Sequence, residues 1–308
     1  MIDPPWIVGS GGLLGQSLAR REPDAFLGLP VPWEHPDEAS RVLQSNVQRY
    51  AELGCNQWTV VWAAGAAVVS TDERVAAIEL EQFRAVISSV REHLPAGRGV
   101  LFLSSSAGGI YAGSSGAPFD EGSVAAPISA YGRLKLAMEQ VAIEGLSEHC
   151  HVSIGRFSNL YGPGQNLKKA QGLISQLCVH VLTRKALSIY VPLETMRDYL
   201  YTDDAAALAS VSIEAARRRS PVGTSMRVLA SGEAATVARI IALVERQYRH
   251  RSLISLGVNP SSAAQVRDLR LRSLHQQEQR GSVQTTLTVG VTKVFDHTLR
   301  QLRSGAFA

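Results

Sequence analysis

The sequence predicts an α/β protein: a doubly wound parallel sheet with helices on both faces. Three observations predict it. Short apolar runs of strand length alternate with segments of helical period through the first half of the chain, the pattern of parallel strands joined by crossover helices. A glycine-rich turn, Gly9 to Gly15, stands where the first strand gives way to a helix. The chain has 308 residues, of which 45% are hydrophobic and 19% charged, enough to bury a large core.

The elements follow in order. Trp6-Ile7-Val8 reads as a strand and Leu13 to Arg20 as a helix. Ala25 to Leu29 reads as a strand and Asp37 to Leu53 as a helix. Thr59 to Trp62, Val100 to Leu103 and Val152 to Phe157 read as further strands, with long helices over Glu73 to His93 and Ser129 to Ser147. Between Pro30 and Gln57 no further strand is evident. After Tyr161-Gly162-Pro163-Gly164 the alternation loosens, and helices are expected near Gly172 to Arg184 and from Asp203-Asp204 onward, where two carboxylates suit a helix start.

Composition narrows the function. A formal charge of +4 is modest. The arginine runs Arg217 to Arg219, Arg246 to Arg251 and Arg267 to Arg272 read as solvated helix faces. They lack the interleaved aromatics of a nucleic-acid platform, so no nucleic-acid partner is expected. Cys55, Cys150 and Cys178 are too sparse for a disulfide framework, which points to a reducing, cytoplasmic setting. The start, Met1 to Pro5, has no basic region of the kind that opens a signal peptide. The longest apolar run, Thr59 to Val69, falls short of the roughly 20 residues that span a bilayer. His149-Cys150-His151 reads as strand-edge packing, and no metal site is expected.

The glycine turn carries the first chemical signal. Gly9-Ser10-Gly11-Gly12-Leu13-Leu14-Gly15 has glycines at positions one, four and seven. One lets the chain turn, one lets a pyrophosphate approach the backbone, and one lets helix and strand pack closely. The helix start then directs free N–H groups at the phosphates. A plain tight turn would use the same glycines, but its place at the first strand–helix junction favours dinucleotide binding. The acidic residue that often holds the adenine ribose is missing, and the corresponding stretch reads Leu27 to Pro32. Arg20 and Arg21 lie nearby and could meet a 2′-phosphate. The cofactor is therefore NAD or NADP, with a slight tilt to NADP.

Tyr131 and Lys135 carry the second signal. Four residues apart on a helix, they share a face. An ammonium beside a tyrosine favours tyrosinate, and such a tyrosine can give or take a carbinol proton. A lysine lying along a packed ring would produce the same spacing. Ser104-Ser105-Ser106 ends the strand Val100 to Leu103, at the edge where open α/β sheets bind ligands. A hydroxyl there can donate to the oxygen that Tyr131 protonates.

Together these residues resemble the extended short-chain dehydrogenase/reductases, the NAD-dependent epimerase/dehydratase family of sugar-nucleotide type. Gly9, Gly12 and Gly15 match its glycine motif. Ala63-Ala64-Gly65 matches its small-residue strand end, and Ser104 to Tyr111 its serine strand and following loop. Tyr131 and Lys135 match its Tyr-x-x-x-Lys pair. Arg156 to Gly164 looks like its Arg-x-x-Asn-x-Tyr-Gly-Pro segment, and Arg197 to Asp204 like its Arg-Asp-aromatic segment. The resemblance implies a Rossmann-type domain over residues 1–165, with part of 198–232 returning to it. It implies a smaller, discontinuous substrate lobe from 166–197 and 233–308. Ser106, Tyr131 and Lys135 would be catalytic, with Ser105 as backup for Ser106. Gly9 to Gly15, Ala63, Ala64, Gly65, Ser104, Tyr131, Lys135 and Phe157 would hold the cofactor. Ser106, Asn159 and Arg197 would meet a nucleoside-diphosphate sugar, with Leu173 and Tyr190 lining the base pocket. Relatives commonly dimerise through the helices of Glu73 to His93 and Ser129 to Ser147, and Leu134, Met138 and Val141 recur there as an interface or core stripe.

Four departures qualify the resemblance. The ribose acid is absent. The helix around Glu79-Leu80-Glu81 lacks the usual asparagine. Tyr190 to Met196 replaces a glycine-containing turn. No acidic pair follows Ser104, which argues against a 4,6-dehydratase. Epimerisation through a keto intermediate or reduction of a keto sugar remains. Reduction of a non-sugar ketone, or a cofactor-sensing protein without chemistry, are the alternatives.

Overall fold

The computed structural model describes residues 3–68, 71–167, 172–249, 251–257 and 266–305. Met1 and Ile2 of the N-terminal segment, Val69 of the apolar run and His250 of the arginine stretch lie outside them. The chain opens with β1 (Trp6–Val8), α1 (Leu13–Arg21), α2 (Pro36–Ala51), β2 (Trp58–Trp62), α3 (Glu73–His93) and β3 (Gly99–Ser106). A short α4 (Ala107–Ile110), α5 (Ala130–Leu146), β4 (His151–Phe157), β5 (Asn159–Tyr161) and α6 (Leu173–Thr183) follow. Then come β6 (Leu187–Ile189), β7 (Met196–Tyr201), α7 (Thr202–Arg217), β8 (Gly223–Leu229), β9 (Ala234–Thr236) and α8 (Val237–Tyr248). The last elements are β10 (Ile254–Leu256), β11 (Asp268–Leu269), α9 (Gln276–Gln279) and α10 (Leu287–Arg303).

The main sheet is parallel throughout, in the order β1-β2-β3-β4-β8. Its inner strands are buried on both faces, as strands covered on both sides must be. On one face α2, α3 and α5 pack through Leu43, Phe83, Val86, Leu134 and Met138. On the other, Leu14 and Leu18 of α1 meet Ala205, Leu208 and Ala209 of α7. Leu134, Met138 and Val141 thus face the core, at 3%, 0% and 8% exposure, and are not an interface stripe. A separate apolar cluster joins α6, α8 and α10 through Leu177, Ile240 and Val294. Two small sheets flank it: β10-β6, and β11-β7-β5 with β9 antiparallel to β7.

One expected strand shrinks to a bridge. Of Ala25 to Leu29, only Phe26 pairs with Trp6. Gly28 turns left-handed at φ +70°, and Leu29 finds both its backbone partners in one side chain. Its N–H donates to Asn46 Oδ1 at 2.7 Å, and its carbonyl accepts from Asn46 Nδ2 at 3.0 Å. An amide from α2 thereby does the work of a neighbouring strand, and α2 runs on to β2 with no strand between. The chain leaves β1 toward Phe26 on one side and returns to β2 on the other. That reversal opens a crevice at the carboxyl end of β1, where such sheets bind ligands.

Candidate active site at the carboxyl edge of the sheet

The glycine turn fills this crevice, and its glycines answer to different constraints. Gly9 has φ +87°, and a Cβ there would come within 2.6 Å of the Ala64 backbone. A Cβ on Gly15 would lie 2.0 Å from the Gly9 carbonyl oxygen. The chain itself requires those two. Gly12 would meet only the Gly9 oxygen at 3.3 Å, and a Cβ on Gly11 would meet nothing within 4 Å. Both are exposed, with no side chain capping the start of α1 and no acidic residue in its first turn. The bare backbone there fits a pyrophosphate cradled on a helix start. Ser10 and Leu13 are partly exposed around the turn, whereas the Leu14 side chain enters the core.

The strand end Ala63-Ala64-Gly65 joins this turn to the tyrosine–lysine pair. The Ala64 backbone lies against Gly9. At the other end, a Cβ on Gly65 would stand 3.3 Å from Lys135 Nζ and 3.2 Å from Glu79 Oε1. Ser129 caps α5 by accepting from the Gly132 N–H at 3.1 Å, which sets Tyr131 and Lys135 in the first turns. Lys135 is buried with Nζ 5.7 Å from the Tyr131 ring centroid. Burial disfavours its charge, but Glu79 and Tyr131 hold the ammonium above the ordinary lysine range.

The serines separate by strand alternation. Ser105 is buried, and its hydroxyl donates to Glu139 Oε1 at 2.5 Å. Glu139 also accepts from Arg156 Nε and Nη2, while Arg156 Nη1 donates to the Tyr111 hydroxyl. Ser105 belongs to this buried network, which removes it as a backup for Ser106. Ser104 and Ser106 are partly exposed. Ser106 accepts from the Gly109 N–H at 3.2 Å, leaving its own proton to donate. Gly109 lies flat under the tyrosine, since a Cβ there would come within 3.0 Å of the Tyr131 ring. The short α4 thus brings Ser106 and Tyr131 to one place. The Phe157 ring is buried edge-on against Phe102, so a cofactor contact at Phe157 belongs to its backbone.

Asn159 and Arg197 come together on β5 and β7. Asn159 pairs with Tyr199, and Arg197 two residues earlier faces the same side. Asn159 Nδ2 donates to the Asp198 carbonyl at 2.9 Å. Arg197 Nη1 donates to the Met196 carbonyl at 2.8 Å. Among the described residues neither neighbouring acid forms an ion pair with it, although Asp268 favours its charge from a distance. Asp198 is turned to the Ser231 N–H and hydroxyl, both at 2.9 Å, and Asp268 is engaged by Arg270. Burial consequently lowers the Arg197 guanidinium below its ordinary range. Leu173 and Tyr190 are not drawn into this group. Leu173 opens α6 against the second core, and Tyr190 is exposed with its ring over Gly257.

Arg20 does not stand near the loop after Phe26. Its guanidinium donates to Ser17 and Asp203, both at 2.8 Å, on the side facing α7. Arg21 lines a cavity of about 890 Å³ between α7 and the 278–285 segment, together with Asp203, Arg218 and Lys293. None of the candidate cofactor, catalytic or diphosphate-binding residues lines that cavity. The sequence reading also missed Glu79, although an acid among the apolar positions of α3 was its visible signal.

A glycine turn at a switch point, joined by one strand end to a tyrosine–lysine pair, defines a dinucleotide-fold protein of the extended short-chain dehydrogenase/reductase type. The chain belongs to the NAD dependent epimerase/dehydratase family, whose profile matches residues 44–223. It is similar to a dTDP-L-rhamnose 4-epimerase of Burkholderia thailandensis, 34% identical over 121 residues, 38% of this chain and 32% of that protein. It is also similar to a dTDP-4-dehydro-6-deoxyglucose reductase of Escherichia coli, 28% identical over 156 residues, 50% of this chain and 47% of that protein. The matches thus span about a third and about half of these curated relatives. Among solved structures, the fold matches a UDP-glucose 4-epimerase with UDP-glucose from Thermotoga maritima. The TM-score is 0.79 and the identity 18%, over 97% of this chain and all of that one. No described helix is long and apolar enough to cross a membrane.

Proposed function

We propose that this chain is an NAD(P)-dependent enzyme acting on a nucleoside-diphosphate sugar, as an epimerase or a keto-sugar reductase. The observation that carries the reading is the Ala63-Ala64-Gly65 strand end, which touches the glycine turn at one end and Lys135 at the other. A dinucleotide with its pyrophosphate at Gly11 and Gly12 would have its nicotinamide end beside Lys135. The family description and the relatives' dTDP-sugar activities support the same substrate class.

In this proposal, Gly11, Gly12 and the first turn of α1 hold the pyrophosphate. A nicotinamide dinucleotide supplies a hydride acceptor or donor. Tyr131 takes the carbinol proton as the C–H hydride leaves, and returns it when the ketone is reduced. Ser106 donates to the same oxygen, and Lys135 keeps a positive charge beside the phenol. Asn159 and Arg197 bind the diphosphate, and the cluster of α6, α8 and α10 forms the substrate lobe, with Leu173 and Tyr190 toward the base. A guanidinium with no ion-paired carboxylate among the described residues favours a diphosphate over an apolar ketone. Arg20, bound to Asp203, lends no support to NADP over NAD. A cytoplasmic homodimer fits the family, although α3 and α5 expose Arg84, Gln140 and Glu144 on their outer faces.

Mass spectrometry of ligands released from the purified protein tests the reading. Retained NAD supports the epimerase, and weakly held NADPH the reductase. A protein that binds neither dinucleotide in calorimetry overturns both.

A further inference from the structure

We propose that Glu79 is a positioning residue of this site. It is a buried carboxylate that fixes Lys135 and the turn after β2 in one arrangement, and it sets the pH at which Tyr131 releases its proton. The inference rests on the assignment of Tyr131 and Lys135 given above, and deepens it.

Glu79 lies on the core face of α3 at 5% exposure. Its two oxygens have separate tasks. Oε1 accepts from Lys135 Nζ at 3.2 Å. Oε2 accepts the backbone N–H groups of Ala66 and Ala67, both at 2.9 Å. Gly65 presses on the pair, close to both Oε1 and Nζ. Nζ also lies 3.8 Å from the Met138 sulfur and 5.7 Å from the Tyr131 ring centroid. One carboxylate thus ties α3, the cofactor-side turn and the lysine together.

The other charged groups packed around α5 are engaged elsewhere. On α3, Glu73 pairs with Arg133 of α5. Arg91 donates to the Gly145 carbonyl, and Glu81 pairs with Arg84. Within the core, Glu139 of α5 is held by Arg156 of β4 and by Ser105 of β3, with Tyr111, just past α4, on Arg156. Among the described residues, Glu79 alone pairs its charge with Lys135.

The choice of a carboxylate is informative. A buried ion pair is often no more stabilising than apolar residues of the same size. A glutamine oxygen could accept from Ala66 and Ala67 equally well. It would then turn its amide N–H toward Nζ, donor against donor. The carboxylate therefore matters chiefly to Lys135. By offsetting the ammonium, it weakens the pull that Lys135 exerts on the Tyr131 proton.

The test is a pH titration of tyrosinate ultraviolet absorbance in the full chain, taking the difference from Tyr131→Phe in the same background. It requires neither cofactor nor substrate. In Glu79→Gln the Tyr131 midpoint is expected to fall by about one pH unit or more. In Glu79→Asp, which keeps the charge, it should stay nearer to that of the unaltered protein. An unmoved midpoint in Glu79→Gln, or an equal fall in Glu79→Asp, overturns the proposal. Should Glu79→Gln fail to fold, both charges are removed together: the midpoint in Glu79→Gln/Lys135→Met must lie below that in Lys135→Met, which keeps the carboxylate, and equal midpoints overturn the proposal. Failure of the unaltered chain to bind NAD or NADP would instead overturn the functional reading, so the two failures are distinguishable.

Discussion

The glycine turn and the β5–β7 strand pair both hold donors that no described side chain accepts from, but by different means. At the turn the donors are backbone N–H groups of the first turn of α1, which no side chain caps and which the bare Gly11 and Gly12 leave open to approach; the Gly12 N–H itself donates to the Gly9 carbonyl at 2.9 Å. At β7 the donor is the Arg197 side chain, whose acidic neighbours are committed to Ser231 and Arg270. The first device depends on the absence of atoms, so any side chain spoils it. The second hangs on one residue, so its loss should leave the fold alone. The contrast separates groups the chain needs for itself from groups held for a ligand.

Substitutions at the turn should have the largest effects and should divide in kind. Gly15→Val puts atoms where a Cβ alone already lies 2.0 Å from a backbone oxygen. It should unfold the protein or lower its melting temperature sharply, as circular dichroism would show. Gly12→Val needs a shift of only a few tenths of an ångström. It should keep the fold while abolishing dinucleotide binding in calorimetry. Equal thermal losses in the two variants would erase the distinction drawn here.

Tyr131→Phe removes the proton-transfer group and should lower turnover of a sugar-nucleotide substrate by roughly 10²-fold or more. Dinucleotide affinity should be unchanged, and near-normal turnover would remove Tyr131 from the chemistry. Arg197→Ala should weaken UDP binding by about 1.5–3 kcal/mol, the range for hydrogen bonds to charged groups. Its melting temperature should barely move, since the bonds lost are one to the adjacent Met196 carbonyl and a long one, 3.5 Å, to the Arg267 carbonyl. A large thermal loss would make Arg197 a structural strut.

The smallest effect concerns pH. Burial, reinforced by Arg219 and Arg227 and opposed by the Ser220 carbonyl, holds His151 below the ordinary histidine range. The fold resists its protonation, so its contribution is present above about pH 6.5 and is lost as pH falls through the lowered value. The melting temperature should drop by a few degrees over that interval, and less in His151→Gln. An identical drop in both would assign the effect to other groups.

What could be read in advance follows the same division. The crossover helices and four of the main-sheet strands declared themselves by period, and the glycines and Tyr131/Lys135 by spacing, because those constraints are local. The strand at Ala25 to Leu29 misled because its hydrogen bonds are supplied by Asn46, 17 residues on. Arg20 looked like a phosphate ligand because its partner, Asp203, lies 183 residues away. The sequence favoured Ser106 over Ser105 only by its interval to Tyr131; strand alternation and the Ser105 bond to Glu139 supply the physical reason. Glu79 showed in the sequence as an acid among apolar positions where an asparagine is usual, but its role did not, since its partners Lys135, Ala66 and Ala67 come from a different helix and a loop.

Native mass spectrometry of the full chain with NAD and UDP tests the central claim most directly. The account predicts that the unaltered chain carries both ligands, Gly12→Val loses NAD alone, and Arg197→Ala loses UDP alone. An unaltered chain that carries neither, or variants that lose both ligands together, would contradict it.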